Sequence, residues 1–277
     1  MKKYLLSFCL VFIILFILWI IRGNIIVETT NISISNEKIP ERFNGFTIAH
    51  ISDLHNARFG KDNAELLKKI KSASPDIIII TGDLIDSRHT NIKAGTEFAV
   101  NALKIAPVYY VNGNHESRLS EYKDIENELL QAGVNVLINK TVDIQRFDDK
   151  ITISGIEDPA FYSLNNSENT INNLLKSVNF ESDYFNILLS HRPEAFDAYA
   201  ESKFDLVFSG HAHGGQFRIP FAGGILAPGQ GLFPKYDSGL YSEGDFSMIV
   251  SRGLGNSIFP FRVNNNPEII IAKLYNK

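Results

Sequence analysis

A single cysteine, Cys9, rules out an intramolecular disulfide, so the fold must rest on its packed core. Basic runs are also missing. The 27 Lys and Arg residues against 31 Asp and Glu give a net charge of -4. With no Lys/Arg cluster in the folded part, the broad cationic field that nucleic acid requires is absent, and nucleic acid is excluded as a partner. No internal repeat is present, and the one biased stretch, "NNSENTINN", reads as solvated surface. The chain also lacks H-E-x-x-H, which argues against a zinc peptidase. What remains is 44% hydrophobic and 21% charged, enough apolar material for a sizeable core and no sign of disorder.

One long apolar run stands at the start, "MKKYLLSFCLVFIILFILWIIRGN". Lys2 and Lys3 precede about eighteen uncharged residues ending at Ile21, long enough to cross a bilayer as a helix. No small-x-small cleavage site follows in "IIRGNIIVETT", so an uncleaved anchor over residues 1–23 is expected. Cys9 then serves as a small apolar residue of the span. Two lysines before the span and Arg22 after it favour an inside N-terminus, giving a single-pass cell-membrane protein with an extracytoplasmic domain. Residues 24–44 read as a tether and a first strand, and residues 45–277 as the main domain.

From there, short apolar runs alternate with amphipathic stretches. "FTIAHIS", "DIIIIT", "VYYV", "YFNILLS" and "FDLVFS" read as strands. Residues 62–72, 91–104, 121–132, 168–178 and 193–200 read as helices. This alternation predicts an α/β fold with largely parallel sheets. "TVDIQRF" and "ITISGI" around Asp148-Asp149-Lys150 read as an antiparallel hairpin, and "PEIIIAKLY" as a closing strand.

The chemistry lies just past these strands. Asp53 and His55 follow the first, Asp83 the second, Asn114 and His115 the third, His191 the fourth, and His211 and His213 the fifth. Ligand sites in open α/β sheets form at the carboxyl ends of strands, so these residues can converge on one crevice. Residues two apart in an extended segment point to one side, which would pair Asp53 with His55 and His211 with His213. Neighbouring glycines allow tight turns and are expected to clear space around the imidazoles. Carboxylates, an amide oxygen and imidazoles without thiolate suit two divalent ions of the Mn, Fe or Zn type. There are too many donors for one tetrahedral zinc, and a metal pair is a known clamp for displacement at phosphorus.

The blocks "DLH", "GD", "GNHE", "SHR" and "GHAH", in this order, resemble the calcineurin-like metallophosphoesterases over roughly residues 45 to 275. With the N-terminal span and "GHAHGGQFRIP", they are similar to that family's bacterial membrane-anchored branch. The resemblance implies a four-layer α/β/β/α sandwich and a dinuclear metal centre. In it, Asp53, His55 and His213 bind one metal, Asn114, His191 and His211 bind the other, and Asp83 bridges them. His115 matches the catalytic histidine that faces the scissile phosphate. A phosphodiester or pyrophosphate in a lipid-linked or cell-envelope molecule is the expected substrate class. Related motifs occur in enzymes that cleave UDP-2,3-diacylglucosamine. A metal-bearing binding module without catalysis is the contrasting reading, and the intact His115 argues against it.

Several neighbours are weighed differently. His50 lies inside a strand and reads as a core histidine, and His89 as a loop residue. Asp86 reads as a cap or a solvent-facing carboxylate, and Glu116 as a residue that orients a neighbour. Of the nearby arginines, Arg58 is the candidate contact to substrate phosphate. "PFAGGILAPGQGLFPKY" reads as either a core-covering loop or an apolar rim for a lipid-like leaving group.

Overall fold

The computed structural model describes residues 2–162, 167–256 and 259–277; Asn165 and Asn166 of the asparagine-rich stretch lie outside the described residues. Its main strands form two six-stranded sheets. The first contains β1 (Glu28–Asn36), β2 (Thr47–Ile51), β3 (Ile77–Thr81), β4 (Val108–Val111), β5 (Asn135–Val136) and β16 (Glu268–Asn276). The second contains β6 (Lys140–Arg146), β7 (Asp149–Gly155), β8 (Asn186–Leu189), β9 (Leu206–Ser209), β14 (Gly239–Glu243) and β15 (Phe246–Val250). Between β9 and β14 lie two small pairs, β10 (Arg218–Ile219) with β11 (Gly223–Gly224) and β12 (Leu226–Ala227) with β13 (Gly231–Leu232).

Spatial order in the first sheet is β1-β16-β2-β3-β4-β5, and in the second β14-β15-β9-β8-β7-β6. Strands β2 to β5 run parallel, as do β7, β8, β9 and β15. Within these two sheets, antiparallel pairing is confined to β16 on β2 and to the edges β6 and β14.

Helix α1 (Lys2–Ile25) precedes the sheets. Helices α2 (Ala64–Ser72), α3 (Ile92–Ala102) and α4 (Tyr122–Ala132) cover the first sheet, and α5 (Ser167–Ser177) and α6 (Phe196–Ala200) the second. The isoleucine run of β3 explains the layering, because alternate side chains of a strand take opposite faces. Ile78 and Ile80 meet Leu66, Ile70, Phe98 and Leu129 on the helix side. Ile77 and Ile79 meet Ile153, Ile187 and Phe208 between the sheets. Beyond the second sheet, Leu188, Val207 and Met248 pack on Ile171, Leu174 and Tyr199. The result is the expected helix, sheet, sheet, helix sandwich.

Two local expectations shift. The hairpin turn falls at Phe147, with φ 56°, and Asp148, because Asp149 and Lys150 already pair in β7. Helix α1 also runs on through Asn24 to Ile25, and only Ile26 and Val27 separate it from β1. Asn24 fixes this junction. Its Nδ2 donates to the carbonyls of Ile20 at 2.8 Å and Arg262 at 2.9 Å, and its Oδ1 accepts from the Arg262 amide at 2.7 Å. Helix α1 joins the domain through this clasp.

Candidate metal centre

Strands β2, β3, β4, β8 and β9 point their carboxyl ends to one edge of the sandwich, and each hands over to a short loop bearing the residues singled out above. The loops are not extended. Asp53 (φ 50°), His55 (φ 45°), Asp83 (φ 50°), His211 (φ 65°) and His213 (φ 49°) all adopt the left-handed conformation. The pairs therefore meet through tight turns after the strands end, and the expected strand alternation is not what brings them together. Non-glycine residues in this region cost on the order of 1 kcal/mol or more each and persist where their surroundings over-determine them.

Hydrogen bonds between the loops provide that determination. The amides of Asp53 and His55 donate to the carbonyls of Gly82 and Asp83 at 3.1 and 3.0 Å. The His115 amide donates to Asp83 Oδ1 at 2.8 Å, and the His211 amide to Asp53 Oδ2 at 3.0 Å. Glu116 is fully buried and accepts from three amides, Asp83 at 2.9 Å, Gly113 at 2.8 Å and Ile85 at 3.1 Å. It ties the loop after β3 to the loop after β4, the orienting role expected of it. Burial, reinforced by the Asp83 charge, pushes its carboxyl up to about 7.

The glycines serve this packing of loop on loop. A Cβ at Gly210 would land on Ser52 Oγ and Asp53 Oδ2, and one at Gly113 on the Asp83 side chain and, at 2.7 Å, its amide. The space they leave is filled by the Asp53 and Asp83 side chains, Ser52 and backbone, not by open volume around the imidazoles.

Within this frame, two imidazole groups share one carboxylate oxygen. Asp83 Oδ2 lies 3.5 Å from His55 Nε2 and 3.3 Å from His191 Nε2. On one side, His213 Nε2 stands 3.2 Å from His55 Nε2 and 3.3 Å from Asp53 Oδ1. On the other, His211 Nδ1 is 3.2 Å from His191 Nε2. His191 Nδ1 donates to the Thr81 carbonyl at 2.7 Å, which turns Nε2 toward Asp83. Ligand atoms of Asp53, His55, Asp83 and His213 lie within 4.8 Å of one another, and so do those of Asp83, His191 and His211. Asn114 Oδ1 is buried with no hydrogen-bond partner among the described residues. An orphaned amide oxygen and converging imidazole nitrogens fit divalent cations with nitrogen and oxygen ligands.

The electrostatics agree. Burial opposes a charge on His191, but Asp83 and Asp53 outweigh it and push the imidazole up to about 10. Burial pushes the Asp53 carboxyl up to about 6. Two carboxylates in a dry pocket thus attract positive charge strongly.

His115 stands edge-on to His55, with ring centroids 4.5 Å apart. Its Nδ1 accepts from the Ser87 amide at 3.1 Å and lies 3.1 Å from Asp86 Oδ1 and from the Ser87 hydroxyl, so Nε2 is the nitrogen left for the cleft. Burial lowers its pKa. Asp86 is thus not solvent-facing. It is buried behind His115 and also accepts from the Arg88 amide at 3.0 Å. The signal for it in the sequence was its place three residues after Asp83.

A cleft of about 200 Å³ opens over these groups, lined by Asp83, Asn114, His115, His211 and His213 together with Arg88, Arg118, Arg192, Pro228 and Gly229. Arg58 is exposed and is not among its lining residues. Arg192 is held bidentately by Asp158, at 2.6 and 2.9 Å, and donates to His211 Nε2 at 2.9 Å. His50 is a buried core histidine, 2.8 Å from Thr81 Oγ1 and held down to about 3 by burial. His89 is exposed on the loop, 3.3 Å from Asp86.

Comparison with known proteins agrees with this architecture. The family model of the calcineurin-like phosphoesterases matches residues 46–215. The uncharacterized metallophosphoesterase YkuE of Bacillus subtilis (strain 168) is 31% identical over 258 residues, covering 90% of this chain and 85% of its own length. Phosphodiesterase YaeI of Escherichia coli (strain K12) is 25% identical over 83% of this chain and 82% of its own. Among solved structures, the phosphopantetheinyl hydrolase PptH of Mycobacterium tuberculosis superposes with a TM-score of 0.51 at 12% identity, over 76% of this chain and 91% of that one, a likeness of fold alone. With the family model spanning more than half of the sequence and YkuE alike along most of it, the chain belongs to the calcineurin-like phosphoesterase family and is a metallophosphoesterase, a hydrolase acting on ester bonds.

Proposed function

We propose that the chain hydrolyses a phosphodiester or pyrophosphate in a lipid-linked or cell-envelope molecule, using two divalent cations of the Mn, Fe or Zn type. Asp53, His55 and His213 would hold one cation, Asn114, His191 and His211 the other, and Asp83 would bridge them. The observation that carries this reading is Asp83 Oδ2, approached at 3.5 and 3.3 Å by one histidine of each group. Cations bound there supply Lewis-acid polarisation of phosphoryl oxygens and activation of water.

The side chains do the rest. The Ser87 amide, which donates to His115 Nδ1 at 3.1 Å, and Asp86 beside the same nitrogen fix the ring. With Nδ1 as acceptor the ring proton sits on Nε2, where it can donate a hydrogen bond to the leaving oxygen. Arg88, Arg118 and Arg192 give the cleft a cationic wall for non-bridging oxygens, and we prefer them to Arg58. Among the described residues no carboxylate pairs with the Arg118 guanidinium, which leaves it available to substrate. Helix α1, apolar over Ser7–Ile25, serves as an uncleaved anchor for the domain that follows, with the domain on the extracytoplasmic side as the flanking charges favour. The membrane thereby brings enzyme and lipid-linked substrate together.

Hydrolysis of bis-p-nitrophenyl phosphate against p-nitrophenyl phosphate, with Mn added or chelated, tests this. Metal-dependent diesterase activity that falls about 10²- to 10⁴-fold in His115→Ala at unchanged metal content is expected. Full activity in that variant would remove His115 from the reaction.

A further inference from the structure

The register of the first sheet puts the exit of α1 and the metal centre at the same end of the sandwich. β1 starts with Glu28 opposite Glu268, and β16 then pairs antiparallel to β2 with Ile270 opposite His50. The beginning of β1, directly after α1, therefore lies at the carboxyl end of β2, where Asp53 and His55 sit.

The depth of that junction is also fixed. One nitrogen, Asn24 Nδ2, reaches the carbonyls of both Ile20 and Arg262, so the backbone at Arg262 lies beside a residue within the apolar span. Trp19 and Ile20 line a crevice with Arg262, Asn264 and Asn266. At 1.5 Å rise per residue, Ile20 is about 7 Å along the axis from the end of α1. A bilayer that accepts the whole span brings its surface to the 259–266 segment.

Outside α1, most exposed large apolar side chains of the described residues fall in the 217–233 loops and at 259–261. These segments form one surface. Phe217 packs its ring on Phe259 at 5.0 Å and Phe261 at 5.6 Å, and Gln216 Nε2 donates to the carbonyls of the same two residues at 3.2 and 2.8 Å. The crest carries Ile219, Phe221, Leu232, Phe233, Phe259 and Phe261, with Phe221 fully exposed at the β10–β11 turn and Leu232 and Phe233 69% and 64% exposed. Aromatic and aliphatic side chains next to a span favour the membrane interface, where apolar rings leave water without leaving the headgroups.

We infer that this crest inserts into the phospholipid leaflet that receives the last turn of α1, giving the domain a second membrane contact. The reading rests on α1 being a membrane anchor. Its consequence for the site follows from Pro228 and Gly229, which connect β12 to β13 within the crest loops and also wall the cleft. The cleft then opens at headgroup level, and a phosphoester carried on a lipid enters it from the plane of the bilayer.

Tryptophan fluorescence of the full chain in vesicles of phosphatidylcholine and phosphatidylglycerol, with and without acyl-chain bromination, tests this. Trp19 is the only tryptophan, so the unmodified chain reports on α1 alone. Phe221→Trp and Phe147→Trp, each combined with Trp19→Phe, report on the crest and on the far end. Phe147 is 84% exposed at the β6–β7 turn, opposite the end where β8 delivers His191. The proposal expects quenching by brominated lipid for Trp19 and for the indole at 221, a blue shift at 221, and neither change at 147. Quenching of Trp19 without quenching at 221 would keep the anchor and overturn the crest contact. A blue shift at 221 without bromine quenching would mean that a protein covers the crest, and would overturn it too. An unquenched Trp19 would remove the anchor reading and the proposal with it.

Discussion

Replacing Glu116 isolates the device that sets the ligand loops. Glu116→Ala takes the acceptor from three buried amides, Asp83 at 2.9 Å, Gly113 at 2.8 Å and Ile85 at 3.1 Å. An unsatisfied buried donor costs about 1–3 kcal/mol. The three share one acceptor and one pair of loops, so their costs overlap, and a total loss of about 3–5 kcal/mol is expected. Glu116→Gln keeps one oxygen. Turned toward Asp83 and Gly113, which share Oε2, the amide still satisfies two donors and sets its NH2 against the Ile85 N–H. One lost donor should cost about 1–3 kcal/mol. Urea unfolding in detergent micelles, followed by the near-ultraviolet circular dichroism of the buried tyrosines, measures both. An alanine variant within about 0.5 kcal/mol of the parent, or a glutamine variant less stable than the alanine one, would refute the three-amide clamp.

Two further substitutions probe the site from other directions. Asp86→Asn removes the carboxylate 3.1 Å from His115 Nδ1 and should lower kcat about 10–100-fold, leaving KM and metal content unchanged; an unaltered kcat would mean that Asp86 does not position the imidazole. Gly210→Ala puts a methyl group onto Ser52 Oγ and Asp53 Oδ2, and thermal unfolding should reveal a loss of about 1–3 kcal/mol together with weaker metal binding. Parental stability in that variant would show that the loops after β2 and β9 have room to separate.

Much of this architecture is legible before any coordinates. Short β-branched runs such as "DIIIIT" read as strands buried on both faces, and parallel pairing brings the residues after them to one edge. Long-range geometry is less legible. Nothing local in the sequence announces the left-handed conformation of Asp53, His55 and His213, since it is imposed by loops that hydrogen-bond across the sheet. Asp86 reads as a surface cap because its partner lies on the next strand's loop. Arg58 sits close to the first motif in sequence, yet the cleft is lined by Arg88, Arg118 and Arg192, which come from other loops. The clasp between Asn24 and Arg262 joins the two ends of the chain, a pairing that no periodicity encodes.

The central claim is that Asp83 joins two cation sites. Metal content of the purified full chain, by elemental analysis after Mn loading and gel filtration, tests it most directly. Two ions per chain are expected, one lost in Asp53→Ala, the other lost in His191→Ala, and affinity for both weakened in Asp83→Ala. An Asp83→Ala variant that retains both ions with parental affinity would contradict the account.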